Sequence, residues 1–314
     1  MMRSPKSFVV AVRRPDGGIA IREQHWRSLL PELKFLRWPL FRGGLVLLES
    51  LHNGFVALNF SAEHALPPDP KAQAQAPAPA GQSGTSGMML VAVLMMVGLF
   101  IAVPHWVSYR LALALGLPPQ GFGAQVLDGA LRIGLLVGYI SFIARTEQAR
   151  RLFGYHGAEH KAIWAYEANL PLTVENAKKY PRQHPRCGTS FLFVVVFVAV
   201  VVHSVLVPWV PRLAGPDWLN SLALVPFKIL LAFPIAGIAY ELQKVSAKDQ
   251  CPVWIRWLTA PGIWLQNLTT REPDDTQLEI AVLALERALA REEGRSKAAD
   301  GVAVYPDYAV AAAV

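Results

Sequence analysis

The stretch Ser190-Phe-Leu-Phe-Val-Val-Val-Phe-Val-Ala-Val-Val-Val-His-Ser-Val-Leu-Val-Pro-Trp209 is almost entirely Val, Phe and Leu, with His203 inside it. A helix needs about 20 consecutive, mainly apolar residues to cross the hydrocarbon core of a bilayer. This stretch has that length and composition. It therefore predicts a transmembrane helix.

Three further segments have a similar length and predict further spans. Residues 88–106 form an uninterrupted apolar run, whereas residues 126–144 and 222–242 carry embedded charges. Only 17% of all residues are charged, against about 25% in a soluble domain. The predicted fold class is an α-helical membrane protein with about four transmembrane helices, a small N-terminal β-hairpin region and cytoplasmic amphipathic helices.

The basic residues alternate along the chain. Lys and Arg number ten before residue 88, one between the first two spans, eight between the second and third, one between the third and fourth, and eight after residue 241. Since cytoplasmic loops carry the excess of Lys and Arg, both termini are predicted to be cytoplasmic, with the chain in the bacterial inner membrane. The net charge of +7 then indicates the lipid bilayer as partner, and no nucleic acid is expected.

Segments outside the spans have their own patterns. Two apolar runs flank Pro15-Asp-Gly-Gly18 and predict a hairpin, and residues 38–62 predict an amphipathic helix. A second amphipathic helix starts after Pro273, while the Ala-rich chain from Ser296 predicts a loose tail. The predicted order is an N-terminal cytoplasmic or interfacial segment at 1–66, a disordered linker at 67–87, transmembrane helices 1 and 2 at 88–144, a cytoplasmic motif loop at 145–189, transmembrane helices 3 and 4 at 190–242, and a cytoplasmic C-terminal segment at 243–314.

The motif loop concentrates metal-binding side chains. In Tyr155-His-Gly-Ala-Glu-His-Lys161, the residues His156, Glu159 and His160 share one face of a helix because positions i, i+3 and i+4 are neighbours. Two imidazoles so placed can bind one divalent ion, and zinc favours nitrogen and sulfur ligands. His-x-x-Glu-His is also the order of the inverted zincins, in which the glutamate is the general base.

His184 and Cys187 are further candidate ligands in the same loop. With both of them the site would have four ligands and be closed, which is typical of structural zinc. A catalytic site needs an open position, so only three of the four would bind, and Glu175 or Glu241 could replace one of them. The sequence leaves these alternatives open, together with the simpler one that the side chains only cap helices and hydrogen-bond a packed loop.

Charged side chains inside the predicted spans need partners. Arg132 and Lys228 are costly in hydrocarbon and are predicted to pair inside the bundle, with Asp128 or Glu241. These four residues could instead line a transport path. Four spans leave little room for one, so a transporter would require a homo-oligomer.

The two motifs Tyr155–Lys161 and His184–Phe191 closely resemble those of the YqhQ-like family of bacterial membrane proteins. That family is of unknown function and is often labelled a predicted metal-dependent enzyme, so the resemblance implies a metal site and an enzymatic activity. It covers nearly the whole chain, through Met1–Pro5, Arg42-Gly43, Ala57-Leu58, Ser61-Ala62, Asp128-Gly129 with Arg132, Tyr240-Glu241, Pro261–Gln266 and Leu268–Pro273.

The leading functional hypothesis is a metal-dependent hydrolase with zinc as cofactor. His156 and His160 are the predicted ligands, His184 and Cys187 the further candidates, and Glu159 the general base. The substrate would be a membrane-associated peptide or lipid. The alternative is a scaffold or assembly factor in which the same residues hold a structural zinc, and a transporter is the third hypothesis.

Overall fold

The computed structural model describes residues 1–65, 87, 91, 94–95, 98–248, 250–296 and 299–313. Within them the chain is mostly helical, with a small antiparallel sheet. Three helical stretches are long and apolar enough to cross a membrane, which is consistent with a membrane protein: Phe122–Ile143, Gly188–Trp209 and Asp217–Ser246. They coincide with three of the four predicted spans. The predicted linker and most of the first half of the predicted first span lie outside the described residues.

The helices follow from the apolar runs and the capping residues between them. Thr146, Thr173 and Asp274 each accept a hydrogen bond from a backbone N–H of the first turn that follows. In chain order the helices are α1 (Pro39–Ala65), α2 (Val103–Ala114), α3 (Phe122–Ile143), α4 (Glu147–Glu167), α5 (Val174–Lys178), α6 (Gly188–Leu206), α7 (Asp217–Ser246), α8 (Val253–Thr269), α9 (Asp275–Glu292) and α10 (Tyr308–Ala313).

The sheet joins the two ends of the chain. Its strands are antiparallel in the order β1 (Met2–Arg3), β2 (Ser7–Arg13), β3 (Ile19–His25) and β4 (Gly301–Tyr305). The predicted hairpin is confirmed as β2–β3. The prediction of a loose tail is wrong, because β4 supplies backbone partners to the free edge of β3.

Helix α9 lies at the centre of the core formed by both chain ends. Its predicted apolar face packs against the sheet and α4, but Ile280, Leu283 and Ala284 are also buried. The helix is therefore covered on most sides rather than amphipathic, because the sheet covers one side of it and α4 with α5 covers the other. This places α4 between α9 and the apolar helices.

The apolar helices approach each other closely at glycine residues. A Cβ atom at Gly43 of α1 would overlap the backbone of Ala236 in α7, and one at Gly129 of α3 would overlap the side chain of Val200 in α6. Helix α1 therefore lies directly along α7. The C-terminal ends of α3 and α7 and the N-terminal end of α6 meet on the side of the bundle where α4 begins.

Candidate functional site

Helix α4 presents two imidazoles side by side. Thr146 accepts a hydrogen bond from the N–H of Ala149 at the start of the helix. The negative charge of Glu147 in the first turn stabilises the helix further, because it lies at the positive end of the helix dipole. One turn separates His156 from His160, and their ring centroids lie 4.5 Å apart. Both side chains face the loop that leads into α6.

Cys187 completes this group from the other side. It is the N-cap residue of α6, and its carbonyl accepts a hydrogen bond of 2.8 Å from Gln243 in α7. Its Sγ lies 3.3 Å from His156 Nε2. One ligand atom from each of His156, His160 and Cys187 lies within 4.8 Å of the other two. We call these three residues the His–Cys cluster.

The backbone around the His–Cys cluster fixes the orientation of both imidazoles. His156 Nδ1 lies 2.8 Å from the carbonyl of Thr269, and His160 Nδ1 lies 2.6 Å from the carbonyl of Arg182. A carbonyl can only accept, so each Nδ1 carries a proton, and Nε2 is the nitrogen that a metal can bind in the neutral ring. Histidine ligands of metals are oriented in this way, and two nitrogens with one sulfur suit zinc. The donor set therefore fits a divalent metal.

The neighbours of His156 and Cys187 favour the charged form of each group. Burial, the largest single effect, disfavours these charged forms, but the hydrogen bonds and the nearby charges together outweigh it. The pKa of His156 is raised to about 9, with the charges of Cys187 and Glu159 adding to the effect. Hydrogen bonds to His156 and His160 hold the pKa of the Cys187 thiol well below its usual value, against the effect of burial. The thiolate, which is the form of Cys187 that binds a metal, is therefore favoured, and metal binding would release a proton from His156.

His184 lies beside the His–Cys cluster but is engaged elsewhere. Its Nε2 is 3.3 Å from a carboxylate oxygen of Glu167, and its Nδ1 accepts a hydrogen bond of 3.2 Å from the N–H of Arg186. Burial lowers the pKa of His184, although the Glu167 carboxylate opposes this shift. The group of three converging donor atoms does not include His184, whose Nε2 is held by Glu167 instead.

The three predicted acidic candidates also lie outside the His–Cys cluster. Glu159 is partly exposed on the same side of α4, with its carboxylate 3.8 Å from the amino group of Met1. Glu175 is exposed in the first turn of α5. Glu241 accepts two hydrogen bonds from Arg42 of α1. Of these, only Glu159 is close enough to act electrostatically on His156.

The embedded charges form a separate cluster inside the bundle. Asp128 Oδ2 accepts hydrogen bonds from Lys228 at 2.6 Å and Arg132 at 3.0 Å, and the Lys228 ammonium is also 3.1 Å from His105 Nδ1. The predicted pairing of Arg132 and Lys228 with Asp128 is thus present, whereas Glu241 pairs with Arg42 instead. This cluster lies within the apolar helices, and none of its residues belongs to the His–Cys cluster.

A glutamine and a glutamate hold His184 beside the site, although the sequence did not mark either of them as a site residue. Gln266 is fully buried in α8 and hydrogen-bonds both the N–H and the carbonyl of His184, at 2.7 and 2.8 Å. Glu167, the last residue of α4, holds the His184 ring and pairs with Arg186 at 2.7 Å. For Gln266, a signal existed in the segment Pro261–Gln266, which resembles the family pattern. No local pattern distinguishes Glu167.

Comparison with known proteins identifies relatives but no activity. Residues 38–291 match the family described as "Protein of unknown function (DUF1385)". The chain is 33% identical over 296 residues to "Uncharacterized protein YqhQ" of Bacillus subtilis (strain 168), covering 91% of this chain and 87% of that protein. No solved structure matches.

Proposed function

We propose that this chain, which belongs to the DUF1385 family of proteins of unknown function, is a zinc-dependent membrane enzyme that hydrolyses a membrane-associated substrate. One observation carries the proposal: one donor atom from each of three residues converges in the His–Cys cluster, and the fourth candidate, His184, is not among them because Glu167 holds its ring instead. Three protein ligands leave one position for water or substrate, which is the pattern of catalytic zinc, whereas structural zinc is closed by four.

In the proposed hydrolysis, the metal ligands, Glu159 and the backbone around them have different roles. When bound, zinc lowers the pKa of a coordinated water to about 7 in favourable sites. Glu159, three residues after His156 and outside the ligand group, is the proton acceptor of the proposal. The hydroxyl of water bonds to the carbonyl carbon of an ester or amide, and its proton passes through Glu159 to the oxygen or nitrogen that leaves. Thr269 and Arg182 keep both imidazoles oriented through their carbonyls.

We place this enzyme in the bacterial inner membrane with both termini cytoplasmic. The three apolar helices support a membrane location, and the alternation of Lys and Arg supports the orientation. The His–Cys cluster is then at the cytoplasmic surface, because Cys187 precedes α6 directly. A substrate held in the bilayer, either a lipid or a membrane-bound peptide, would reach it there.

The first test is the zinc content of the purified protein in detergent. We expect about one zinc per chain in the wild type and almost none in His160→Ala and Cys187→Ala, since losing one of three ligands removes much of the affinity. His184→Asn is the matched control and is expected to keep its zinc. Elemental analysis measures all four. Loss of zinc in His184→Asn would indicate a closed structural site, and a wild type that binds no added zinc would overturn the proposal.

The second test separates an enzyme from a scaffold with a structural zinc. Glu159→Gln removes the proposed proton acceptor but no ligand, so zinc content and melting temperature are expected to stay unchanged. The rate at which the enzyme hydrolyses membrane lipids or peptides is expected to fall about 100- to 10,000-fold. Mass spectrometry of the products measures this rate. Glu175→Gln, an exposed glutamate outside the His–Cys cluster, should retain wild-type turnover. Equal turnover in Glu159→Gln and the wild type would remove Glu159 from the mechanism.

A further inference from the structure

A cavity of about 540 Å³ opens beside the His–Cys cluster, between α1, α6 and α7. Cys187 and Gly188 form part of its wall, so the cavity borders the His–Cys cluster. One side is apolar, and the other is basic. The apolar side includes Val46, Phe191 and Tyr240, and the basic side includes Arg186, Lys244 and Lys248.

The basic side of the cavity has lysines without an ion-pair partner among the described residues. Lys244 in the last turn of α7 and Lys248, two residues after that helix, are both exposed. Arg186 adds a third positive charge, which is shared with Glu167. Among the described residues that line the cavity, none is acidic. An anionic group is therefore favoured here.

The start of α6 strengthens this preference. Cys187 makes no side-chain capping hydrogen bond, and the first turn of α6 carries no acidic residue. The free backbone N–H groups and the helix dipole therefore direct positive charge toward the wall that Gly188 forms. The start of a helix and two lysines, which form no ion pair within the described part of the chain, thus lie at one cavity.

The position of the cavity favours an amphiphilic ligand over a free anion. Helix α6 begins, and helix α7 ends, at the wall of the cavity, and both are long and apolar enough to cross a membrane. The ends of spanning helices lie at the depth of the lipid headgroups. Phe191 and Tyr240, whose ring centroids are 6.2 Å apart, form the apolar side along which acyl chains can lie.

We propose that this cavity binds an anionic phospholipid, with its phosphate at Lys244 and Lys248 and its acyl chains against Val46, Phe191 and Tyr240. The binding stands on the cavity itself. The further step, that this lipid is the substrate, rests on the proposed hydrolytic function. In this arrangement the glycerol end of the lipid lies next to Cys187, so its ester bonds are the part nearest to the His–Cys cluster.

The test measures lipid binding in metal-free protein, so that it does not depend on zinc or on turnover. The protein is mixed with detergent micelles that contain equal amounts of phosphatidylglycerol and phosphatidylcholine, and native mass spectrometry counts the bound lipids. We expect a preference for phosphatidylglycerol of about tenfold in the wild type. In the double variant Lys244→Gln/Lys248→Gln the preference should disappear.

A matched control removes the same charge elsewhere. Lys178→Gln/Lys179→Gln takes two exposed lysines from α5, which does not line the cavity, and should keep the preference. An equal loss in both double variants, or no preference in the wild type, would overturn the inference. Complete displacement of phosphatidylglycerol by inorganic phosphate would assign the site to the free anion and overturn the lipid. If zinc binds as expected but the lipid preference is absent, only this inference fails. If the preference is present but elemental analysis finds that the wild type binds no zinc, only the hydrolytic function fails.

Discussion

Replacing Asp128 by asparagine is expected to destabilise the helical bundle by about 3–5 kcal/mol, since removing one partner of a buried ion pair leaves an uncompensated charge. Asp128 is 2% exposed, and one of its carboxylate oxygens accepts hydrogen bonds from both Lys228 and Arg132. Asparagine keeps the volume of the side chain but leaves two positive charges together in an apolar bundle. Thermal unfolding in detergent should show a large drop in melting temperature.

A second substitution tests the cause of that drop. Lys228→Met in the Asp128→Asn background removes one of the two uncompensated charges, so the double variant should be more stable than Asp128→Asn alone. Asp217→Asn, at the exposed start of the same helix as Lys228, is the control and should unfold close to the wild type. A melting temperature of Asp128→Asn equal to that of the wild type would show that the ion pairs do not stabilise the bundle. That result would favour the alternative hypothesis that these charged residues line a transport path.

The sequence predicts those parts of this protein that depend on local patterns. Three helices long and apolar enough to cross a membrane, α3, α6 and α7, follow from length and hydropathy. The approach of His156 to His160 follows from their spacing on one helix. The β2–β3 hairpin follows from a turn with Asp and Gly between two apolar runs. Each of these depends on residues that are close in the chain.

Contacts between distant residues explain what the sequence did not predict. His184 has the right spacing for a ligand, but Gln266, 82 residues away, holds its backbone and Glu167 engages its ring. Only the fold brings these groups together. The tail shows the same limit, since an Ala-rich composition reads as loose chain until the free edge of β3 provides backbone partners for Gly301–Tyr305.

Replacing Gly157 by alanine is expected to lower the zinc affinity of the His–Cys cluster about 10- to 100-fold without touching a ligand. A Cβ atom at Gly157 would overlap the backbone carbonyl oxygen of Arg271, so the chain at residues 269–271 must move away from α4. That chain carries the carbonyl of Thr269 that orients His156. It also carries the carbonyl of Thr270, which accepts a hydrogen bond of 2.9 Å from Arg182.

The effect should reach both imidazoles, because the carbonyl of Arg182 in turn orients His160. Competition with a chromophoric zinc chelator measures the affinity of each variant. Gly138→Ala is the matched control: a Cβ atom there meets no atom within 4 Å, and alanine favours the helix, so zinc affinity should equal that of the wild type. If Gly157→Ala bound zinc as tightly as Gly138→Ala, the carbonyls of Thr269 and Arg182 would not be what orients the ligands. The two histidines would then hold the metal through the rigidity of α4 alone.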